Sequence, residues 1–294
     1  LHGLLEAALH QPGKLLASPV VQGAPLQRAD GALWSLHALL AHAAVTHTDR
    51  DDSPLEQWQH VIPVAVAVEL LGLALDVFDD VQDGDGVLLQ AYGAPMLING
   101  AMALRELAQM ALNHPLLSSA AQARISRAMA TDTLRAVGGQ ALDVAFEEQP
   151  TPPLDAILEM TEHKSGSLIG LVYRVGSLVG SSAHGHQQHA QERGELFATF
   201  GRNLGVVLQL ENDWYDAQAQ TPKSDRQRGK KTLPLALEAQ PMAASLAEAD
   251  RAQYVERVVF ATMGMFRFRA ATQLTQLIQD FQVSPHWLQW LVKD

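Results

Sequence analysis

Over most of this chain apolar residues recur at three- and four-residue spacings, while the alternation expected of a half-buried strand is hard to find. The pattern predicts an all-α protein. Helices are expected over residues 33–45, 61–78, 96–113, 120–146, 154–180 and 193–218, and residues 246–290 read as mostly helical with an interruption near Pro285. Ser53-Pro54-Leu55-Glu56 has the form of a capping box with proline at the first helical position. Pro63 marks a break or a second helix start, Gly84 and Gly86 end that helix, and Tyr92-Gly93-Ala94-Pro95 reads as a turn. No repeat, low-complexity segment or clear linker divides the chain, so residues 1–294 are expected to form one domain.

The second of these helices is the most informative. Its apolar run stops at Asp79-Asp80-Val81-Gln82-Asp83-Gly84-Asp85, and helical spacing puts Asp76, Asp79, Asp80 and Asp83 on one side. No Lys or Arg lies between Arg50 and Arg105 to pair with them. One reading is a solvated acidic helix end; the other is a site for a hard divalent cation, Mg²⁺ above all, which takes a few carboxylates and shares its other positions with water and phosphate. Asp76 either extends the acidic face inward or pairs with a distant base.

Composition narrows the partners. A formal charge of -11 opposes a nucleic-acid surface, and the one dense basic run, residues 223–231, is too short to line a groove. Cysteine is absent, which excludes disulfides and thiolate chemistry. Residues 1–18 lack the form of a secretory leader, and Glu69 and Asp76 interrupt the apolar run over 61–78, so a buried core helix fits it better than a membrane span. The cytoplasm is the default expectation.

Residues 193–218 repeat the chemistry of the opening acidic stretch. Phe197, Phe200, Leu204 and Leu208 form an apolar stripe, and Gln209, Asn212, Asp213 and Asp216 follow on a polar face. His184, His186 and His189 cluster in a polar segment read as a loop rather than a metal site. Met263, Met265, Phe266 and Phe268 read as core or dimer packing.

Taken in order, the chemical residues are Asp79-Asp80-x-x-Asp83, Gly139-Gln140-x-x-Asp143, Lys164-Ser165, Gln209-x-x-Asn212-Asp213-x-x-Asp216 and Lys223-Ser224-Asp225-x-x-x-Gly229-Lys230-Lys231-Thr232-Leu233-Pro234. In this order and spacing, over residues 65–234, they resemble the trans-isoprenyl diphosphate synthases, or polyprenyl synthetases. The resemblance implies the isoprenoid synthase fold, a helical bundle around a deep apolar cavity, and a homodimer. It implies Mg²⁺ ligation by Asp79 and Asp83 from one helix and by Asn212 and Asp216 from another, clamping an allylic isoprenyl diphosphate. Lys164, Lys223 and Lys230 would bind diphosphate oxygens and Gln140 and Gln209 would line the site, with Asp80 and Asp213 completing the catalytic acidic clusters.

Two departures matter. Relatives that add isopentenyl diphosphate carry a basic segment before the first aspartates and an arginine pair after them; here Gly31-Ala32-Leu33-Trp34-Ser35-Leu36 has no base, and no arginine lies between Asp83 and Tyr92. Asn212 also replaces the usual aspartate, keeping a carbonyl oxygen for metal. The expected function is a Mg²⁺-dependent prenyltransferase that ionises the allylic diphosphate, its acceptor being isopentenyl diphosphate, a peptide as in the ComQ-like branch, another prenyl chain, or the substrate's own double bond as in class I cyclases. The competing class is a non-catalytic subunit of a heteromeric synthase. Ala74 and Leu75, small and aliphatic, leave a pocket floor open to a chain of about fifteen carbons or more.

Overall fold

The computed structural model describes residues 34–46, 58–84, 86–183, 189–219, 225–286 and 288–292, and among them there is no β-strand. The helices are α1 (Trp34–Thr46), α2 (Ile62–Gln82), α3 (Val87–Tyr92), α4 (Ala94–Leu112), α5 (Ser119–Glu147) and α6 (Leu154–Thr161). A π-helical turn, Glu162–Gly166, joins α6 to α7 (Ser167–Ala183). Then come α8 (Ala190–Gln218), α9 (Asp225–Arg228), α10 (Leu233–Glu238), α11 (Pro241–Ala244), α12 (Glu248–Phe281) and a 3₁₀ turn, Gln289–Val292.

Helix α7 is the centre of the bundle, packing on α1, α5 and α8. Helix α4 lies along α2, and α12 along the other side of α8. Three apolar clusters follow from this order. One joins α1, α2, α4, α5 and α7 through Val64, Val68, Leu71, Leu112, Ile125, Met129 and Leu171. A second joins α1, α7, α8 and α12 through Leu40, Tyr173, Phe197, Phe200 and Leu277, with Leu208 packed against it, so the stripe predicted on α8 is a core stripe. The third joins α5, α6, α8, α10 and α12 through Phe146, Ile157, Leu210, Leu237 and Phe266.

Local sequence accounts for most boundaries. Pro63 sits in the first turn of α2, where it gives up no helical hydrogen bond, so it starts the helix rather than breaking it. Ser118 accepts the amide of Ala121 at 3.3 Å and caps α5. Glu69, the acid inside the apolar run, accepts the backbone N–H of Ser35 at 2.9 Å, which places a carboxylate at the positive end of α1. The turn predicted around Tyr92 is tighter than expected, because α3 and α4 meet at Gly93 with φ 76°. Helix α7 runs on to Ala183, three residues past the expected end, and α12 stops at Phe281, after which Gln282 takes a left-handed conformation. The residue 53–56 capping box, Asp85, Lys223, His184 and His186 lie outside the described residues. Met263 and Phe266 are core, whereas Met265 and Phe268 are exposed.

Candidate active site

The acidic end of α2 is an electrostatic problem: the last turn carries aspartates and no base, at the pole where backbone carbonyls already concentrate negative charge. The fold answers it with bases from distant segments. Lys164 donates to Asp79 at 3.1 Å and to Asp143 at 2.8 Å. Lys230 reaches Asp83 at 2.7 Å, Asp143 at 3.2 Å and Glu147 at 3.0 Å. Arg228 donates to Asp83 at 3.0 Å and to Asp225 at 3.2 Å. All of these groups except Glu147 surround a cavity of about 120 Å³ together with Met160, Thr161, Gln209, Asp213 and Thr232.

Close backbone approach positions the lysine. A Cβ added at Gly139 would stand 2.3 Å from the backbone nitrogen of Lys164, so only glycine lets α5 touch the π-helical turn. That turn, an irregularity that often accompanies function, directs Lys164 and Ser165 toward α5 and α8. Ser165 donates to Gln209 Oε1 at 2.5 Å, and Gln209 donates to Asp213 Oδ1 at 2.7 Å. A side-chain chain thus runs from the turn to the acidic face of α8.

Burial and pairing divide the carboxylates. Burial works to raise the pKa of Asp143, but Lys164 and Lys230 prevail and hold it below the usual carboxylate value. Burial opposes the charge on Lys164 and Lys230, yet their acidic partners push both pKa values up, so both stay protonated. Asp213 behaves differently: burial pushes it up to about 7, with Asp225 adding to the rise and the Gln209 hydrogen bond opposing it. Asp225 is also raised, first by burial and then by Asp216, against the pull of Arg228.

Of the predicted residues, Asp79, Asp83, Lys164, Gln209, Asp213 and Lys230 line this one cavity. The single acidic face predicted for α2 divides: Asp76 is exposed, and Asp80 packs against the backbone of Gly86, where a Cβ would meet its Oδ2 at 2.4 Å. The four share a helical face, but only Asp79 and Asp83 reach the cavity. Asn212 is exposed beside the cavity, and Asp216 accepts the backbone N–H of Asp225 at 2.5 Å. The Gln140 amide is buried with no hydrogen-bond partner among the described residues. Asp143, Asp225 and Arg228 also line the cavity and were not assigned there from sequence. Asp143 had a signal, its place three residues after Gln140; Arg228 had only its place in the basic run.

The cavity bears on metal binding. Five carboxylates, Asp79, Asp83, Asp143, Asp213 and Asp225, face three bases, Lys164, Arg228 and Lys230. An anionic ligand entering this net negative space needs added cations, and an all-oxygen donor set suits Mg²⁺. Among the described residues no three acidic or histidine side chains form a ready-made metal cage.

Comparison with known proteins fixes the family. The polyprenyl synthetase family model matches residues 33–259, and the chain belongs to that family. A (2E,6E)-farnesyl diphosphate synthase of Mycobacterium tuberculosis is 30% identical over 184 residues, which cover 59% of this chain and 49% of the relative. The tryptophan prenyltransferase ComQ of Bacillus spizizenii is 24% identical over 176 residues, 59% of this chain and 57% of that one. The chain thus spans about half the length of the curated relatives it matches. A crystal structure of a geranylgeranyl pyrophosphate synthase superposes with a TM-score of 0.71 at 17% identity, covering 98% of this chain and 92% of the other, so the two share the all-α fold.

Proposed function

We propose that this chain, as one isoprenoid synthase domain, binds an allylic isoprenyl diphosphate with its head group in the cavity between α2, α5 and α8, and transfers the prenyl group to an acceptor. The carrying observation is that Asp79 and Asp83 from α2 and Gln209 and Asp213 from α8 face the same space as Lys164 and Lys230. Asp79, Asp83, Asn212 and Asp216 are the residues that would hold Mg²⁺, whose charge, when bound, favours departure of the diphosphate. Lys164 and Lys230 hold diphosphate oxygens in place of the carboxylates they now contact, and Lys223 is a third base assigned to the diphosphate. The allylic carbon–oxygen bond breaks, its electron pair leaving with the diphosphate; the allylic carbon then bonds to a nucleophilic atom of the acceptor, which releases a proton to the diphosphate or to solvent. The apolar cluster of α2, α5 and α7, which holds Leu71, Met129 and Leu171 with Leu75 and Leu168 packed against it, would supply the water-free surroundings that protect the allylic cation.

The lack of a base between Arg50 and Arg105 to bind a second diphosphate favours an acceptor other than isopentenyl diphosphate. The similarity to a tryptophan prenyltransferase supports a peptide acceptor beside cyclisation of the substrate itself. Retention of both acidic segments argues against a non-catalytic subunit. A cytoplasmic location and a homodimer are the expectations carried by the family resemblance. Among the described residues no helix is long and apolar enough to cross a membrane.

The test is incubation of the protein and Mg²⁺ with geranyl, farnesyl and geranylgeranyl diphosphates, with and without isopentenyl diphosphate. Diphosphate release is expected without the second substrate, and strict dependence on it overturns the acceptor assignment. Asp79→Ala and Asp83→Ala should each lower release by about 100-fold or more. Full activity in either variant removes the metal assignment.

A further inference from the structure

The two aspartates that end α2 are not equivalent. Asp79 has one oxygen on Lys164 and a side chain 40% exposed. Asp83 has Oδ1 on Lys230 at 2.7 Å and Oδ2 on Arg228 at 3.0 Å, with a side chain only 10% exposed. Both oxygens of Asp83 are therefore engaged by bases, and a cation approaching it must displace at least one. The displaced base would not be stranded: Lys230 keeps Asp143 and Glu147, and Arg228 keeps Asp225. Arg228 also precedes Gly229, whose φ of 77° lets the chain turn sharply between the two bases that grip Asp83.

We infer that Arg228 is a positioning residue that blocks Asp83 until a diphosphate arrives, and then moves its guanidinium from the carboxylate to the diphosphate. This rests on the proposed function and adds to it a residue and an order of binding. Guanidinium prefers the doubly charged, multidentate oxygens of a phosphate group to a single carboxylate that a metal is competing for. In the free protein Arg228 and a divalent cation compete for Asp83; once diphosphate is bound they cooperate, because the anion takes the arginine and exposes the carboxylate. Coupling of this kind is reciprocal, so diphosphate tightens metal binding and metal tightens diphosphate binding by the same factor.

Loss of the Arg228 guanidinium should act with opposite sign on two ligands of one site. Titration calorimetry would measure Mg²⁺ alone, and inorganic pyrophosphate in the presence of saturating Mg²⁺, against the unaltered protein and Arg228→Gln. The variant should bind Mg²⁺ alone about fivefold more tightly, having lost one competing ion pair. It should bind pyrophosphate about tenfold more weakly, having lost a charged donor to the anion. Arg228→Lys keeps the charge without the fork and should fall between the two. Arg226→Gln, which removes a pair with Glu238 outside the cavity, should match the unaltered protein in both titrations. If Arg228→Gln weakens both ligands together, or leaves Mg²⁺ affinity unchanged while the unaltered protein binds Mg²⁺ and pyrophosphate normally, the blocking role is overturned and the proposed function stands. If the unaltered protein binds no pyrophosphate at any Mg²⁺ concentration, the proposed function falls and the inference falls with it.

Discussion

Asp132 lies on the inner face of α5, 1% exposed, three turns from the cavity. Arg135 donates to it at 3.1 Å and Arg174 stands 3.5 Å away. Its pKa is nevertheless raised from 3.8, first by burial, with Arg174, Arg135 and Arg202 opposing and Glu195 adding to the rise. The arginines soften the cost of burying this carboxylate without cancelling it. A carboxyl group with a raised folded-state pKa stabilises the fold fully below its unfolded value, and that contribution is lost as pH rises through the folded value. Comparing Asp132→Asn with the unaltered protein isolates the effect. The difference in denaturation midpoint should move in the variant's favour as pH rises from about 4 to 7. A difference that is constant across that range would mean Asp132 titrates as an ordinary carboxylate.

At the scale of elements, the site depends on how closely α8 crosses the π-helical turn. A Cβ added at Gly205 would stand 2.8 Å from the Ser165 carbonyl and 2.9 Å from the Gly166 Cα, both backbone atoms that cannot turn aside. Gly205→Ala should therefore cost about 1–3 kcal/mol in denaturant unfolding and separate Ser165 from Gln209. A variant as stable as the parent would show that the crossing has slack. The helices were legible because apolar stripes such as Phe197, Phe200 and Leu204 carry the helical period directly. The π-helical turn was not, since its five residues, Glu162–Gly166, contain nothing that distinguishes them from an ordinary helix. The short helices α9 and α10 lie beyond any period, because four and six residues are too few to show one. The same limit explains the site. Asp79, Asp83 and Asp213 declared themselves by local spacing, whereas the pairing of Asp83 with Arg228 spans 145 positions and is set by packing alone.

For the molecule as a whole the open question is how two copies, each with a formal charge of -11, would associate. Long-range repulsion between them must be overcome by apolar contact. Helices α4 and α5, which pack on each other, expose such a surface. Leu134 is 72% exposed, Val137 51% and Val144 44%, and their spacings of three and seven place them on one side of α5. Met96, Ile98, Met102 and Met110 are 43–50% exposed on α4. A two-fold axis through this face would present each residue twice, which is how a modest patch reaches the roughly 1,200–2,000 Å² of a stable interface. The proposed dimer predicts a sedimentation mass near twice the chain mass of 31.9 kDa at micromolar concentration. Added salt should favour association, because it screens the repulsion and leaves the apolar contact intact. Val137→Glu, which adds charge at the centre of the face, should weaken the dimer by about 100-fold or more. The same substitution on an exposed position of a monomer would change stability by about 0.5 kcal/mol or less, so the mass and the stability of this one variant separate an interface from an ordinary surface. A monomeric mass for the unaltered protein at high salt would rule the dimer out.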